Sequence, residues 1–286
     1  MLDRRTVLKA AGVATLGALA APALVADEVA AKSGLKQSVC RWCYGQIPID
    51  KLADECVKLG YKSVELLSQP QDVSAVQSRG LTCAVYGKTD IVRGLNREAH
   101  HPKILKLLRE NIEFAAAHGL PKVICMAGNR TLDGHTVSDE EGMDVCAKGL
   151  KQVVGLAEEK KVTLIMEGLN SKVNHKDYMY DKTEWGVKLC QKVGSPRFKL
   201  LYDIYHMQIM EGDVIATVRK YKDYIAHYHT GGVPGRHEID DTQELNYAAI
   251  VRAILDTGYA SYLGQEFIPK RDPFVSMAQA YKICNV

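Results

Sequence analysis

The sequence lacks the features that mark several large classes of protein. Its 286 residues contain no run of five like charges, and 37 Lys and Arg stand against 34 Asp and Glu, so no basic patch suggests nucleic acid or acidic lipid as a partner. Neither a G-x-G-x-x-G fingerprint nor a P-loop is present. Aromatic residues are scarce at 7%, but 47% of the residues are hydrophobic and 25% are charged, which excludes disorder, collagen and a multi-span membrane protein. We expect a globular chain with a small-molecule partner.

Cysteine pairs at metal or redox spacing are missing, with one exception. Cys40 and Cys43 form a lone C-x-x-C inside a predicted strand, and no second pair accompanies them. Most of the other six cysteines lie in apolar runs. We therefore predict buried free thiols rather than a zinc site, a redox site or disulfides.

The first 26 residues have the composition of an export signal. Arg4 and Arg5 open a basic segment, and 17 residues without a charge follow from Ala10 to Ala26. This stretch is short and rich in Ala, so a membrane anchor is the weaker alternative and no stable membrane span is expected after processing. The order Arg-Arg-x-Val-Leu-Lys resembles the twin-arginine signal, which predicts a periplasmic protein cut near residue 26.

Short apolar runs alternate with amphipathic stretches eight times between residues 36 and 286. Eight strand–helix units in about 250 residues predict the α/β class and one domain, a single (β/α)8 TIM barrel. An open doubly wound sheet is the weaker alternative, because it would carry a Gly-rich phosphate turn after its first strand. The predicted strands are Ser38–Tyr44, Ser63–Leu67, Thr82–Tyr86, Lys122–Met126, Thr163–Glu167, Lys199–Asp203, Ile225–His229 and Tyr262–Phe267. The predicted helices are Ile49–Leu59, Val73–Ser78, Pro102–His118, Ser138–Lys160, Thr183–Val193, Gly212–Tyr221, Tyr247–Asp256 and Pro273–Ile283, and five of them are followed by a glycine expected to end the helix: Gly60, Gly80, Gly119, Gly194 and Gly258.

The last four predicted strands each end at a residue that can bind a metal. Glu167, Asp203, His229 and Glu266 follow one another at intervals of 36, 26 and 37 residues, each close to one strand–helix unit. Because active sites of these barrels lie at the carboxyl ends of the strands, we expect the four side chains to meet at one rim. Three carboxylates this close repel one another unless a cation lies between them. An oxygen-rich set of this kind favours one divalent ion, Mn²⁺ or Mg²⁺, with Co²⁺ and Zn²⁺ as alternatives.

Other polar residues near these strand ends are candidates to contact a substrate or the metal ligands. His206 follows Asp203 by three residues, and Arg236 lies in the long loop after the seventh strand, where a guanidinium can grip a carboxylate. His227 faces the same side of its strand as His229, so it is either a core residue or a support for the ligands. Glu238 is a candidate to order the loop or to pair with Arg236 or His237.

Several of these motifs together resemble the hydroxypyruvate isomerase family, within the xylose-isomerase-like barrels. The resemblance is strongest from Val162 to Pro269, and its most specific element is Val-Pro-Gly-Arg-His-Glu at 233–238. It implies that Glu167, Asp203, His229 and Glu266 bind the metal, and that Glu167 and Glu266 are also the acid and base. It also implies that His206 and Arg236 contact the substrate.

The implied reaction interconverts hydroxypyruvate and 2-hydroxy-3-oxopropanoate (tartronate semialdehyde), or a closely related sugar acid, through an enediolate. A ketose 3-epimerase is the first alternative, because hydroxypyruvate isomerases tend to have Gln where this chain has His229, whereas the 3-epimerases have His. A non-catalytic periplasmic protein that binds sugar acids is the second. A related phosphodiesterase of damaged DNA is disfavoured, because it would need a metal cluster richer in His and a basic face. For the assembly, a homodimer is one prediction.

Overall fold

The computed structural model describes residues 34–286, so the predicted export signal, residues 1–26, lies outside the described residues. Strands and helices alternate along this part of the chain. The strands are β1 (Lys36–Cys40), β2 (Ser63–Glu65), β3 (Lys122–Cys125), β4 (Thr131–Leu132), β5 (His135–Thr136), β6 (Thr163–Glu167), β7 (Phe198–Asp203), β8 (Ile225–Thr230) and β9 (Tyr262–Gln265). The helices are α1 (Ile49–Leu59), α2 (Pro70–Gln77), α3 (His101–Ala117), α4 (Asp139–Leu150), α5 (Val154–Glu159), α6 (Thr183–Val193), α7 (Ile204–Met210), α8 (Val214–Lys220), α9 (Tyr247–Asp256) and α10 (Pro273–Cys284).

Seven of the strands form one parallel sheet in the order β2-β1-β9-β8-β7-β6-β3. The segment 82–86 lies between the two outer strands and closes the sheet into a barrel. On one side Val64 of β2 donates its amide to the carbonyl of Thr82 at 3.1 Å, and on the other Ile124 of β3 donates to the carbonyl of Tyr86 at 3.1 Å. The predicted single (β/α)8 barrel is confirmed, and this segment takes the place of its eighth strand.

The segment 82–86 was predicted as a regular strand, but it pairs only through isolated bridges. A side chain explains part of the interruption. The amide of Ala84 donates to Oγ of Ser63 at 2.9 Å, where a regular ladder would offer a backbone carbonyl. The closure of the barrel therefore depends on a polar side chain of β2 as well as on the backbone.

Helix boundaries differ from the prediction where local backbone geometry overrides the apolar pattern. The predicted helix Ser138–Lys160 is two helices, α4 and α5, because the chain tightens into three-residue turns at Gln152 and Val153. The predicted helix Gly212–Tyr221 begins only at Val214, after two residues in left-handed conformation, Gly212 and Asp213. All five glycines predicted to end helices have positive φ, as a left-handed terminus requires.

The first predicted strand is too long, and the C-x-x-C is not inside a strand. Strand β1 ends at Cys40, and Arg41–Tyr44 forms a 3₁₀ turn in which the Arg41 guanidinium donates to the carbonyl of Tyr44 at 2.6 Å. All eight cysteines fall within residues 34–286 and have free thiols, and all except Cys43 are buried. Within this part of the chain no helix is both long and apolar enough to cross a bilayer.

Candidate active site

The four predicted ligand residues meet at the carboxyl ends of four adjacent strands. Glu167 and Asp203 are the last residues of β6 and β7, His229 lies in β8 directly opposite Asp203, and Glu266 follows β9. All four side chains are buried, and one donor atom from each lies within 4.8 Å of the others. Because parallel strands end at the same edge, the spacing of these residues in the sequence brings them together. The set could hold a divalent metal ion.

His229 lies at the centre of this cluster. Its Nδ1 is 2.6 Å from Oε2 of Glu266 and 3.2 Å from Oε1 of Glu167. Its Nε2 points the other way, 2.7 Å from Oε1 of Glu65. The ring therefore bridges the carboxylate cluster and a fourth, deeper carboxylate.

Glu65 is a site residue that the sequence analysis missed. It ends β2, it is fully buried, and its Oε1 also lies 2.8 Å from Nε2 of His227. The predicted strand continues to Leu67, which puts Glu65 in the middle of the strand, whereas the other acids stand at predicted strand ends. His227 contacts the ligand cluster through this carboxylate and through its ring, whose centroid lies 5.1 Å from that of His229, as a support and not as a ligand.

Arg236 provides the positive charge that faces the carboxylates. Its Nη2 lies 2.9 Å from Oδ2 of Asp203 and 2.6 Å from Oε2 of Glu266, and its Nη1 lies 2.6 Å from Nε2 of His206. Its Nε donates to the carbonyl of Glu266 at 3.1 Å. The loop reaches this position with Gly235 and Arg236 both at positive φ, which turns the chain sharply toward the barrel. Every nitrogen of the guanidinium is thus engaged by the site.

His206 is fixed by its helix and by the neighbouring loop. It lies in the first turn of α7, where Asp203 caps the helix by accepting the His206 amide at 3.1 Å. Its Nδ1 accepts from the backbone amide of Asn170 at 3.1 Å and lies 2.7 Å from that residue's Nδ2. Its Nε2 lies 2.6 Å from Nη1 of Arg236, a group that can only donate, so both ring nitrogens face donors. The ring of His206 is therefore held in one orientation between Asn170 and Arg236.

Trp42 is a second site residue that the sequence analysis missed. The 3₁₀ turn after β1 places its indole over the site, where Nε1 donates to Oε1 of Glu266 at 2.6 Å. The guanidinium carbon of Arg236 lies 5.3 Å from the indole centroid, within range of a cation–π contact. The side chain is 46% exposed, so it forms part of the rim between the site and solvent.

Burial and mutual charge separate the pKa values of the acidic groups. Burial, together with the charge of Glu266, raises the pKa of Glu167, and burial raises the pKa of Asp203 to about 8. Burial also opposes ionisation of Glu266, but the charges of Arg236 and His229 outweigh it and hold the pKa of Glu266 well below its usual range. Without a metal, the cluster thus keeps one carboxylate ionised beside two that take up protons readily.

The pKa values of the two histidines of the site shift in opposite directions. Burial lowers the pKa of His229, but Cys40, Glu266 and Glu167 outweigh it and leave the pKa well above the ordinary value. Burial and the charge of Arg236 hold the pKa of His206 well below its ordinary value, which keeps that ring neutral.

Glu238 takes no part in the ligand cluster. Its Oε1 accepts from the amides of Lys270 and Arg271 at 2.9 and 3.1 Å and from Oγ of Ser276 at 2.9 Å. These bonds tie the Arg236 loop to the start of α10. Its place in the structure is that of a loop anchor, as one of the two sequence alternatives expected.

A cavity of about 500 Å³ opens in front of the cluster. Its inner wall carries Glu167, Glu266, His206 and Arg236, and its other walls are a mixture of apolar and polar residues: Trp42, Leu66, Ser68, Gly87, Lys88, Thr89, Ile91, Ile124, Met126, Leu169 and His175. Two residues of the lining bear a permanent positive charge, Arg236 and Lys88. A volume of this size accepts a small polar ligand with space to spare.

Comparison with known proteins identifies the family. A family model described as a xylose isomerase-like TIM barrel matches residues 53–282. The chain belongs to this family. Among relatives, a putative hydroxypyruvate isomerase from Homo sapiens is 26% identical over 85% of this chain and 83% of its own length. A 2-oxo-tetronate isomerase from Cupriavidus necator is 26% identical over 74% of this chain and 84% of its own length. The resemblance to hydroxypyruvate isomerases expected from the sequence is confirmed.

The fold of this xylose isomerase-like barrel also recurs among solved structures. A crystal structure titled AP endonuclease, family 2 from Brucella melitensis superposes with a TM-score of 0.75 and covers 86% of this chain and 97% of its own. The two sequences are 19% identical, so the likeness concerns the fold alone.

Proposed function

We propose that the protein is a divalent-metal-dependent isomerase that interconverts hydroxypyruvate and tartronate semialdehyde, or a closely related sugar acid. The observation that carries the proposal is the buried cluster of Glu167, Asp203, His229 and Glu266 at the mouth of the barrel, facing a cavity that also presents Arg236 and Lys88. The relatives named hydroxypyruvate isomerase and 2-oxo-tetronate isomerase support the same class of reaction.

The chemistry of the donor set fits a metal. The Nε2 proton of His229 is directed at Glu65, so in the neutral ring the lone pair of Nδ1 faces Glu167 and Glu266. A lone pair and carboxylates in mutual contact repel one another unless a proton or a cation lies among them. We propose that Glu167, Asp203, His229 and Glu266 hold one divalent ion, with Mn²⁺ or Mg²⁺ favoured by the three oxygen ligands and Co²⁺ or Zn²⁺ as alternatives. When bound, the ion polarises the substrate carbonyl and acidifies the neighbouring C–H.

The chain's own residues supply the proton transfers. One of Glu167 and Glu266 removes the proton from the carbon next to the carbonyl, the hydroxyl proton on that carbon passes to the former carbonyl oxygen, and the other glutamate returns a proton to the neighbouring carbon. His206 lies on the inner wall of the cavity beside Arg236, where it contacts the substrate. Trp42 shields Glu266 from solvent and holds one of its oxygens by a hydrogen bond.

The two positively charged side chains of the cavity differ in whether they are free to bind a substrate. Arg236 is engaged by Asp203, Glu266 and His206, whereas Lys88 is an exposed residue on the wall of the cavity. We propose that Lys88 attracts the carboxylate of a sugar acid, while Arg236 orders the carboxylates and His206 around the reacting atoms.

A ketose 3-epimerase is the second candidate. It uses the same two glutamates but returns the proton to the carbon from which it came. The cavity favours it in one respect, because about 500 Å³ leaves space for a chain longer than the three carbons of hydroxypyruvate. The carboxylate-attracting Lys88 favours the sugar acid.

The test compares substrates on the full-length protein after EDTA treatment and after addition of Mn²⁺, Mg²⁺, Co²⁺ or Zn²⁺. The proposal predicts metal-dependent formation of tartronate semialdehyde from hydroxypyruvate, and faster turnover of acidic than of neutral substrates. Turnover of neutral ketoses without any reaction of hydroxypyruvate or 2-oxo-tetronate would replace it with the epimerase. Equal rates with and without EDTA would remove the metal from the account.

A further inference from the structure

A buried carboxylate beneath the ligand cluster has a defined role in the geometry. We infer that Glu65 is a positioning residue that fixes the ring of His229 so that Nδ1 faces Glu167 and Glu266, and that Gly264 provides the space for this contact. The inference rests on the proposed metal site, and it names residues that lie outside the ligand set.

The contact crosses the interior of the barrel. Glu65 ends β2, and β1 and β9 lie between β2 and β8, the strand that carries His229. One oxygen, Oε1, lies 2.7 Å from Nε2 of His229 and 2.8 Å from Nε2 of His227. Because a carboxylate oxygen only accepts, both rings must present an Nε2–H to it. The protonated nitrogen of His229 is thereby fixed on the side away from the cluster.

Both rings are held in a single orientation by this shared oxygen. The centroids of His227 and His229 are 5.1 Å apart, and the ring planes lie at 86° to each other. The thiol of Cys40 lies 3.7 Å from the same oxygen of Glu65 and from Nε2 of His229. All four side chains are fully buried, so no water competes for Oε1 from solvent. A ligand histidine whose other nitrogen is bonded to a carboxylate is a stronger and better oriented donor.

An independent observation at β9 supports the same role. Gly264 lies opposite His229 in the sheet. A Cβ built on Gly264 would overlap with Oε1 of Glu65 and would lie 2.7 Å from Cδ2 of His229. The backbone of Gly264 does not have positive φ, so the glycine is required for space and not for conformation. A side chain at this position would separate Glu65 from His229, the two groups that the contact joins.

The test measures Mn²⁺ binding to the metal-stripped full-length protein by the EPR signal of free Mn²⁺, without any substrate. We expect Glu65→Gln, which keeps the shape and removes the charge, to weaken binding on the order of 10- to 100-fold. Gly264→Ala, which keeps the charge and disturbs the contact, should weaken binding in the same direction. Two controls match these changes: Asp181→Asn removes a buried carboxylate that pairs with Arg130 elsewhere, and Gly155→Ala adds a Cβ that meets nothing within 4 Å. Both should bind Mn²⁺ like the unmodified chain.

The outcomes separate this inference from the proposed reaction. If Glu65→Gln and Gly264→Ala lower the melting temperature but bind Mn²⁺ with unchanged affinity, Glu65 is structural only and the inference is wrong. If Glu65→Gln does not fold, Gly264→Ala decides alone, since it retains the carboxylate. If the unmodified chain binds Mn²⁺ and the variants bind it weakly, but hydroxypyruvate does not react, the inference stands and the proposed reaction fails. An unmodified chain that binds no Mn²⁺ overturns the inference, while the proposed reaction is still tested with Mg²⁺, Co²⁺ and Zn²⁺.

Discussion

Substitution of Glu266 by Gln isolates the acid–base role of this residue from its role as a metal ligand. Oε1 of Glu266 accepts from Nε1 of Trp42, and Oε2 lies 2.6 Å from both Nδ1 of His229 and Nη2 of Arg236. An amide of the same shape has one oxygen, so in either orientation its NH₂ group faces a donor. The variant therefore loses a hydrogen bond to a charged group, worth about 1.5–3 kcal/mol. Release of repulsion among the carboxylates offsets part of this loss, so we expect the fold to persist.

The expected loss of activity is larger than the loss of stability. A positioned acid or base contributes roughly 10²- to 10⁴-fold to the rate, which corresponds to about 3–5 kcal/mol in activation free energy. The matched control is Asp203→Asn, which removes another carboxyl group from the same cluster but no acid or base. Asn still caps α7, as Asp203 does by accepting the His206 amide.

The assay is kcat for hydroxypyruvate over a range of Mn²⁺ concentrations for both variants. Asp203→Asn should recover a large part of its activity at high Mn²⁺, because only metal affinity is weakened. Glu266→Gln should remain inactive at any Mn²⁺ concentration. Recovery of the unmodified kcat by Glu266→Gln at high Mn²⁺ would refute the acid–base role and leave Glu266 as a ligand only.

Three further predictions test other parts of the structure. Burial opposes ionisation of Glu238, but hydrogen bonds from the chain outweigh it and lower the pKa from 4.5 to about 2. The contribution of Glu238 to stability is therefore present above pH 4.5 and is lost as the pH falls toward 2. Melting curves of Glu238→Gln should differ from those of the unmodified chain at neutral pH and converge with them at acidic pH. Lys88→Met should raise KM for hydroxypyruvate about two- to fivefold without changing KM for a neutral ketose, and equal changes for both would contradict a role in charge recognition. Gly186→Ala would place a Cβ 2.5 Å from Cζ of the buried Tyr180, and urea unfolding should show a loss of about 1–3 kcal/mol that Gly155→Ala does not share.

The barrel could be predicted because short apolar stretches and amphipathic stretches alternate regularly along the sequence. Seven of the eight apolar runs form strands of the sheet, and the glycines after the helices have the expected positive φ. What periodicity could not supply is local turn geometry. The hairpin of β4 and β5 turns on Asp133 and Gly134, both at positive φ, and Asp-Gly is a strong hairpin signal that the apolar pattern does not contain.

The candidate site could be predicted as far as strand ends determine it. The intervals between Glu167, Asp203, His229 and Glu266 followed from the repeat of strand and helix, and the structure places them together. Glu65 was missed because the contact with His229 crosses the barrel between strands that are distant in the sequence. Trp42 was missed because its position depends on the chain leaving β1 at Cys40 and entering a 3₁₀ turn. Neither feature has a signature in hydrophobic periodicity.

The central claim is metal-dependent transfer of a proton between neighbouring carbons. It is tested most directly by a proton NMR time course of the full-length protein with hydroxypyruvate in D₂O, with added Mg²⁺ and with an EDTA-treated control. The account predicts loss of the C3 proton signal and appearance of tartronate semialdehyde only when the metal is present. It also predicts no tartronate semialdehyde from Glu167→Gln or Glu266→Gln, with loss of the C3 proton signal only in the variant that retains the base. Absence of both conversion and exchange of the C3 protons for deuterium in the metal-loaded, unmodified chain would contradict the account.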